Sequence, residues 1–185
     1  EGNFEFLQAF CSDNNIELHT PEMREHMGST ISSSLIRSLI LDGNSRKVYD
    51  YLGRFYGFNA TVVSGSNRGK KMNYPTANFI PTFKNQLLPS TGVYLTRVFL
   101  DGECYFGMMN AGVRPTFNEK KFVMEVHILS DKFGNLYDKN FYIEFLDKIR
   151  DEKKFDSKEL LIKQIEKDKE VCIELIDTFK EKYEI

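Results

Sequence analysis

Two periodicities divide the chain. Over residues 3–15, Phe4, Leu7, Phe10 and Cys11 recur on one face at helical spacing, which predicts an amphipathic helix. A short strand over Ile16–His19 is expected next, followed by a polar, irregular stretch over Thr20–Ser29. Ile31-Ser32-Ser33-Ser34 offers several N-cap residues for a helix through Leu41, with Gly43 to close it. A second short helix, Ser45–Leu52, is expected to end at Gly53. Beyond Phe55 the pattern turns to alternation. Asp101-Gly102 between Gly92–Leu100 and Glu103–Asn110 is a two-residue hairpin signal. Phe122–Leu129 puts Phe122, Met124, Val126 and Ile128 on one strand face and Val123, Glu125, His127 and Leu129 on the other. Asn140–Leu146 alternates again through Phe141, Ile143 and Phe145. Strands this dense predict a small antiparallel barrel. Asp156 and Glu159 read as a capping box for a last helix, whose stripe runs Leu161, Ile165, Cys172, Leu175/Ile176 and Phe179 with a polar gap at Asp168. That helix is expected to pack on the barrel, and the boundary between the helical and β parts falls near residues 43–55.

Composition narrows the function classes. A chain of 185 residues, 41% hydrophobic and 14% aromatic, can bury one proper core and a small appendage. A net charge of −2 provides no global basic field for nucleic acid or membrane. The apolar runs fall far short of the ~18 residues of a membrane span, and no signal-peptide pattern opens the chain. Cys11, Cys104 and Cys172 are scattered, without a C-x-x-C or a histidine cluster, so a reducing cytoplasm is the expected compartment. The first residue is Glu1, mid-pattern and without methionine, which reads as a piece of a longer protein.

The richest chemistry lies in Thr61–Phe79, TVVSGSNRGKKMNYPTANF. A β-branched strand enters a loop holding Gly65, Arg68, Gly69, Lys70 and Lys71, which returns through Pro75-Thr76-Ala77-Asn78. Glycines and cations in a short loop can wrap a polyphosphate with backbone N–H groups and point charges. The Thr76 hydroxyl and the Asn78 carbonyl are the hard oxygen ligands that Mg²⁺ prefers. The loop is not a P-loop: three residues separate its glycines, Lys71 replaces the Ser/Thr, and a proline segment follows where a helix should start. Taken alone it reads equally well as an exposed turn.

Glu125 is the candidate proton acceptor, provided its strand face lines the barrel mouth. Otherwise Glu125 and His127 are solvent-side residues, or His127 is a hydrogen-bonded structural histidine. Asn110 and Thr116 flank a shaped turn, Asn110-Ala111-Gly112-Val113-Arg114-Pro115-Thr116, and offer ligand contacts or simply order the turn. Arg150 is a positioned guanidinium or part of the charge run Asp151–Lys154. Ser32, Ser33, Ser34 and Arg37 at a helix start form an anion site or an ordinary cap.

Five motifs taken in order resemble one known family. The first is the strand-and-loop from Thr61, with Gly65 and Arg68-Gly69, running into Pro75-Thr76-Ala77-Asn78. Leu87-Leu88-Pro89 with Gly92-Val93-Tyr94 follows, then Asn110/Gly112/Arg114-Pro115-Thr116. Glu125-Val126-His127-Ile128-Leu129 and Arg150/Glu152-Lys153/Phe155-Asp156-Ser157 complete the set. Over roughly residues 46–180 the chain resembles the riboflavin kinase domain, in particular the C-terminal module of bacterial bifunctional riboflavin kinase/FMN adenylyltransferase (FAD synthetase). Ile31-Ser32-Ser33-Ser34-Leu35-Ile36-Arg37 is similar to the motif that closes the adenylyltransferase domain of those proteins.

The resemblance implies a six-stranded antiparallel Greek-key barrel with a C-terminal helix over 44–185, preceded over 1–43 by a small helical remnant of an α/β nucleotidyltransferase domain. It implies ATP with Mg²⁺ as phosphoryl donor and riboflavin as acceptor, with FMN as product. Thr76 and Asn78 would hold the metal, and Glu125 would be the base. Gly65, Arg68, Gly69, Lys70, Lys71, Pro75 and Thr76 would contact ATP. Arg150, Phe155 and Asn110 would contact the flavin. Ser33 and Arg37 would be the remnant phosphate site, unable to transfer adenylyl groups alone. Thr76 and Glu125 are expected on opposite sides of one reacting phosphorus. Asn73 stands where the family has glycine and tolerates a left-handed backbone, and Tyr137-Asp138 stands where the family favours Tyr-Gly. Two other classes compete: a flavin-binding regulator without turnover, and an OB-like nucleic-acid barrel, which the net charge and the lack of a basic aromatic strand face disfavour.

Overall fold

A computed structural model describes residues 3–19, 25–26, 28–65, 74–115, 120–130 and 139–183. The chain forms two compact units, Glu1–Ser32 and Ser33–Ile185. In the first, α1 (Phe4–Asp13) starts at Asn3, whose Oδ1 accepts the Phe6 N–H at 2.9 Å. The residues Ile16–His19 form no strand, contrary to the sequence expectation. A two-residue ladder, β1 (Glu25–His26) with β2 (Ser29–Thr30), interrupts the stretch expected to be irregular. Of the α1 stripe only Cys11 is buried, while Phe4, Leu7 and Phe10 stay exposed. So short a helix and ladder hold too little surface to cover an apolar face.

The second unit opens with α2 (Ser33–Leu41) and α3 (Ser45–Leu52). Leu39, Ile40 and Val48 form their shared core, with Leu35 and Leu87 against it. Gly53 ends α3 in the left-handed region (φ 68°), its N–H donating to the Tyr49 carbonyl, as helix C-termini favour. Six strands follow: β3 (Tyr56–Val63), β4 (Ala77–Pro81), β5 (Gly92–Leu100), β6 (Glu103–Pro115), β7 (Lys120–Ile128) and β8 (Asn140–Arg150). They close into an antiparallel barrel in the order β3-β4-β7-β6-β5-β8. β5, β6 and β7 are consecutive neighbours and β8 returns beside β5, which is the Greek-key order. The β5–β6 turn uses positive φ at both Asp101 (52°) and Gly102 (83°), the backbone that matches strand twist in two-residue hairpins.

Alternation fills the barrel from one strand face. Phe58, Phe79, Met109, Met124, Val126 and Phe145 lie within it, each almost fully buried. The outer face of β5, β6 and β8 is apolar too, because α4 (Lys158–Tyr183) lies on it. Cys172 and Phe179 of that helix pack with Val93, Leu95, Met108 and Leu146. Hence β5 is buried almost continuously along its length, as strands covered on both faces are. The helix begins one residue later than a cap at Asp156 requires: the Leu160 N–H donates to Ser157 Oγ at 3.2 Å, so Ser157 is the cap. Asp168, read from the sequence as a gap in the stripe, is buried at 3% exposure.

Candidate active site

Cross-strand register gathers residues that are far apart in the sequence. Asn78 pairs with Glu125 across β4 and β7, and Glu125 pairs with Asn110 across β7 and β6. Val93 pairs with Asn110 on one side and with Arg150 on the other. Asn78, Glu125, Asn110, Val93 and Arg150 are therefore a single lateral row across five strands. With strands about 4.8 Å apart, the row runs about 19 Å along the wall. Since Met124 and Val126 fill the interior, Glu125 and its row face outward. The candidate site is on the outer wall beside α4, and this strand face does not line a barrel mouth; strand parity fixes this, because the barrel interior is already full.

A cavity of about 260 Å³ lies over this row, reached by Thr76, Asn110, Arg114, Glu125, Arg150 and Phe155 among others. Glu125 is gripped at both oxygens. Thr76 Oγ1 donates to Oε2 at 3.0 Å, and Arg114 Nη2 donates to Oε1 at 2.8 Å. Thr76 and Glu125 thus meet directly within one cavity instead of facing each other across a gap. The Glu125 side chain is 17% exposed, so the arrangement holds a carboxylate poised at a cavity wall. Two residues along the same face, His127 Nδ1–H donates to the Pro75 carbonyl at 2.8 Å. Burial lowers the His127 pKa more than this bond raises it, so the ring is neutral near pH 7. Tyr74 packs edge-on to it at 5.5 Å.

At the other end, Arg150 is locked. Its Nε and Nη2 donate to the two carboxylate oxygens of Asp168 at 2.7–3.0 Å, and its Nη1 donates to the Asp151 carbonyl at 2.9 Å. Gln164 Nε2 also donates to Asp168 at 2.9 Å. The guanidinium carbon lies 5.8 Å from the Phe155 ring centre. This bidentate pair fastens α4 to the end of β8 and so sets the distance between the cavity's two walls. Met108, Leu161 and Ile165 supply its apolar lining. A second hollow of about 470 Å³ shares Lys153 and Phe155 with it and is lined further by Lys154, Lys163 and Lys167.

The donor set suits a hard cation in part. Among the described residues no group of three or more His, Cys, Asp and Glu side chains forms a cage. The Thr76 hydroxyl and the Asn78 amide carbonyl, both beside Glu125, are oxygen donors of the kind Mg²⁺ takes when phosphates and water complete its shell. A Cβ at Gly65 would overlap the Asn78 amide, so glycine there makes room for that side chain. Likewise a Cβ at Gly112 would come within 2.5 Å of Glu152 Oε1.

Of the sequence-derived candidates, Glu125, Thr76, Asn110, Arg150 and Phe155 come together in one cavity. Asn78 and Gly65 stand beside it, and Pro75 holds its edge through His127. Arg68, Gly69, Lys70, Lys71, Asn73, Thr116, Tyr137 and Asp138 lie outside the described residues. Ser33 opens α2 and Arg37 follows one turn later, both exposed. Sequence reasoning missed Arg114 and Asp168 as members of the site. Arg114 stood inside a quoted motif, on the outward parity of Asn110. Asp168 was the one acid in an otherwise apolar stripe, which itself called for a buried cation.

Comparison with known proteins places the chain in a family. The family described as Flavokinase: Riboflavin kinase matches residues 52–176. Bifunctional riboflavin kinase/FMN adenylyltransferases from Pseudomonas fluorescens and Bacillus subtilis are 34% and 36% identical, over 86% and 77% of this chain and 51% and 46% of their own length. The one from Haemophilus influenzae is 35% identical over 93% of this chain and 55% of its own. The chain therefore spans about half the length of the curated relatives it matches. A solved structure described as a macrolide-efflux protein from Streptococcus pneumoniae superimposes with a TM-score of 0.78 at 33% identity, over 91% of this chain and 54% of that one. Among the described residues no helix is long and apolar enough to cross a membrane.

Proposed function

The chain belongs to the riboflavin kinase family, and on that premise we propose that it transfers the γ-phosphoryl group of ATP to the ribityl 5′-hydroxyl of riboflavin, giving FMN and ADP. The observation that carries this reading is the Thr76–Glu125 hydrogen bond, 3.0 Å long between residues 49 positions apart, inside the cavity that Arg150 and Phe155 also line.

In this mechanism the substrate hydroxyl displaces the Thr76 hydroxyl from Glu125 Oε2, while Arg114 keeps Oε1. Glu125 takes the proton as the hydroxyl oxygen bonds to the γ-phosphorus, and the β–γ bridging bond breaks with its electron pair going to ADP. Thr76 and Asn78 are the residues that would hold Mg²⁺, which supplies charge neutralisation at the phosphates when bound. Arg68, Gly69, Lys70 and Lys71 would contact ATP. The flavin ring lies against Met108, Leu161, Ile165 and Phe155, with Asn110 and Arg150 at its polar edge. Because such transition states are loose, these side chains act mostly by positioning.

Residues 1–43 form, in this proposal, the end of an adenylyltransferase domain, with Ser33 and Arg37 its remnant phosphate contacts and 44–185 the kinase. The relatives are named as bifunctional, so a longer parent would carry FMN on to FAD. The three free cysteines fit a cytoplasmic setting. The test is incubation with riboflavin, ATP and Mg²⁺, followed by chromatography: FMN and no FAD is expected. Flavin binding without ATP consumption would leave a regulator instead of a kinase.

A further inference from the structure

The β4–β7 ladder stops one residue short of Thr76. Its last pair is Ala77 with Val126, so Thr76 comes opposite His127 without a backbone rung. Tyr74, Pro75 and Thr76 have no regular structure. Proline has no N–H to offer a neighbouring strand, so the backbone of Pro75 can be tied down only through its carbonyl. His127 Nδ1–H donates to it at 2.8 Å. The backbone of His127 is itself held from the other side, in register with Met108 of β6. The imidazole thus takes over where the ladder ends, and Tyr74 packs edge-on against it at 5.5 Å. Thr76 is fixed between two anchors, the Ala77 rung after it and the Pro75–His127 bond before it, and so its hydroxyl reaches Glu125.

We infer that His127 is a positioning residue for the nucleotide side of the reaction: by holding Pro75 it sets Thr76, and so governs use of Mg·ATP without governing riboflavin binding. The inference rests on the kinase reading and extends it to His127, which lines the Thr76 side of the cavity and acts through the Pro75 carbonyl. An asparagine at 127 places an amide N–H where Nδ1 stands, whereas glutamine carries it one methylene too far and leucine has none.

The experiment compares His127→Leu, His127→Asn and His127→Gln, with Thr76→Ala as the control. It measures the KM for Mg·ATP, the KM for riboflavin, thermal unfolding, and calorimetric binding of a non-hydrolysable ATP analogue with Mg²⁺. His127→Leu and His127→Gln should raise the Mg·ATP KM and weaken analogue binding about tenfold, or about 1.4 kcal/mol. The riboflavin KM should stay within about twofold, and His127→Asn should stay near wild type, as expected where one hydrogen bond is lost or kept. If His127→Leu does not fold, the asparagine and glutamine variants decide. Equal nucleotide affinity in that pair, or equal loss for both substrates, overturns the role of His127. If Thr76→Ala also leaves Mg·ATP use untouched, the reading of Thr76 itself fails, and the two failures are thereby told apart.

Discussion

The two faces of β7 differ in everything but their backbone. Inward, Met124, Val126 and Ile128 are at most 7% exposed and pack within the apolar core. Outward, Glu125 and His127 are engaged in hydrogen bonds to Arg114, Thr76 and Pro75. Neighbouring residues thus serve different ends. A strand rotates successive side chains to opposite sides, so stability and chemistry are written on alternate letters of the same segment. Substitutions one position apart should therefore have separable signatures, one in unfolding free energy and the other in turnover.

The largest separation is expected at Phe79, which is 2% exposed inside the barrel. Phe79→Ala should lower unfolding free energy by about 3–5 kcal/mol, measured by urea denaturation, even though Asn78 beside it faces the site. Asp168 sharpens the comparison because it is polar yet buried. Asp168→Ala leaves Arg150 unpaired at the α4 seam, and should cost about 3 kcal/mol of stability while also weakening riboflavin binding, read by flavin fluorescence quenching. A change confined to binding would show that α4 is held without this pair.

Thr76→Ala touches only the outward face. It should raise the Mg²⁺ concentration needed for half-maximal activity about tenfold, the size of one lost contact, with thermal unfolding unchanged. Unaltered Mg²⁺ dependence would remove Thr76 from the metal's shell. The smallest effect concerns thiols. Burial pushes the Cys172 thiol up to about 12, so at pH 8 a maleimide should label exposed Cys104 and leave Cys172 untouched until the protein unfolds. Equal labelling would mean that α4 opens readily from the barrel.

Much of this was legible in the chain. Alternation placed β7 and β8, Asp101-Gly102 placed the hairpin, and the apolar stripe placed α4. The motifs named most of the cavity's residues. Lateral register was not legible: nothing local in the sequence says that Asn78, Glu125, Asn110 and Arg150 share one row, because that order comes from barrel closure and Greek-key crossing. The same cause hid which face was functional. Glu125 as a base was tied to its strand face lining the barrel mouth, whereas the packed interior leaves only the outer wall. Ile16–His19 failed as a strand because a strand needs a partner, and this short segment finds none among the described residues.

The most direct test of the account sets Glu125→Gln beside Val126→Ala, with FMN formation and urea unfolding measured on both. Glu125→Gln should lose at least ~10²-fold in kcat with unfolding free energy lowered by no more than about 1 kcal/mol for the lost Arg114 ion pair. Val126→Ala should lose about 2 kcal/mol of stability with kcat unchanged at a temperature where it is folded. Near-wild-type turnover in Glu125→Gln would contradict the assignment of the outer wall as the site of phosphoryl transfer.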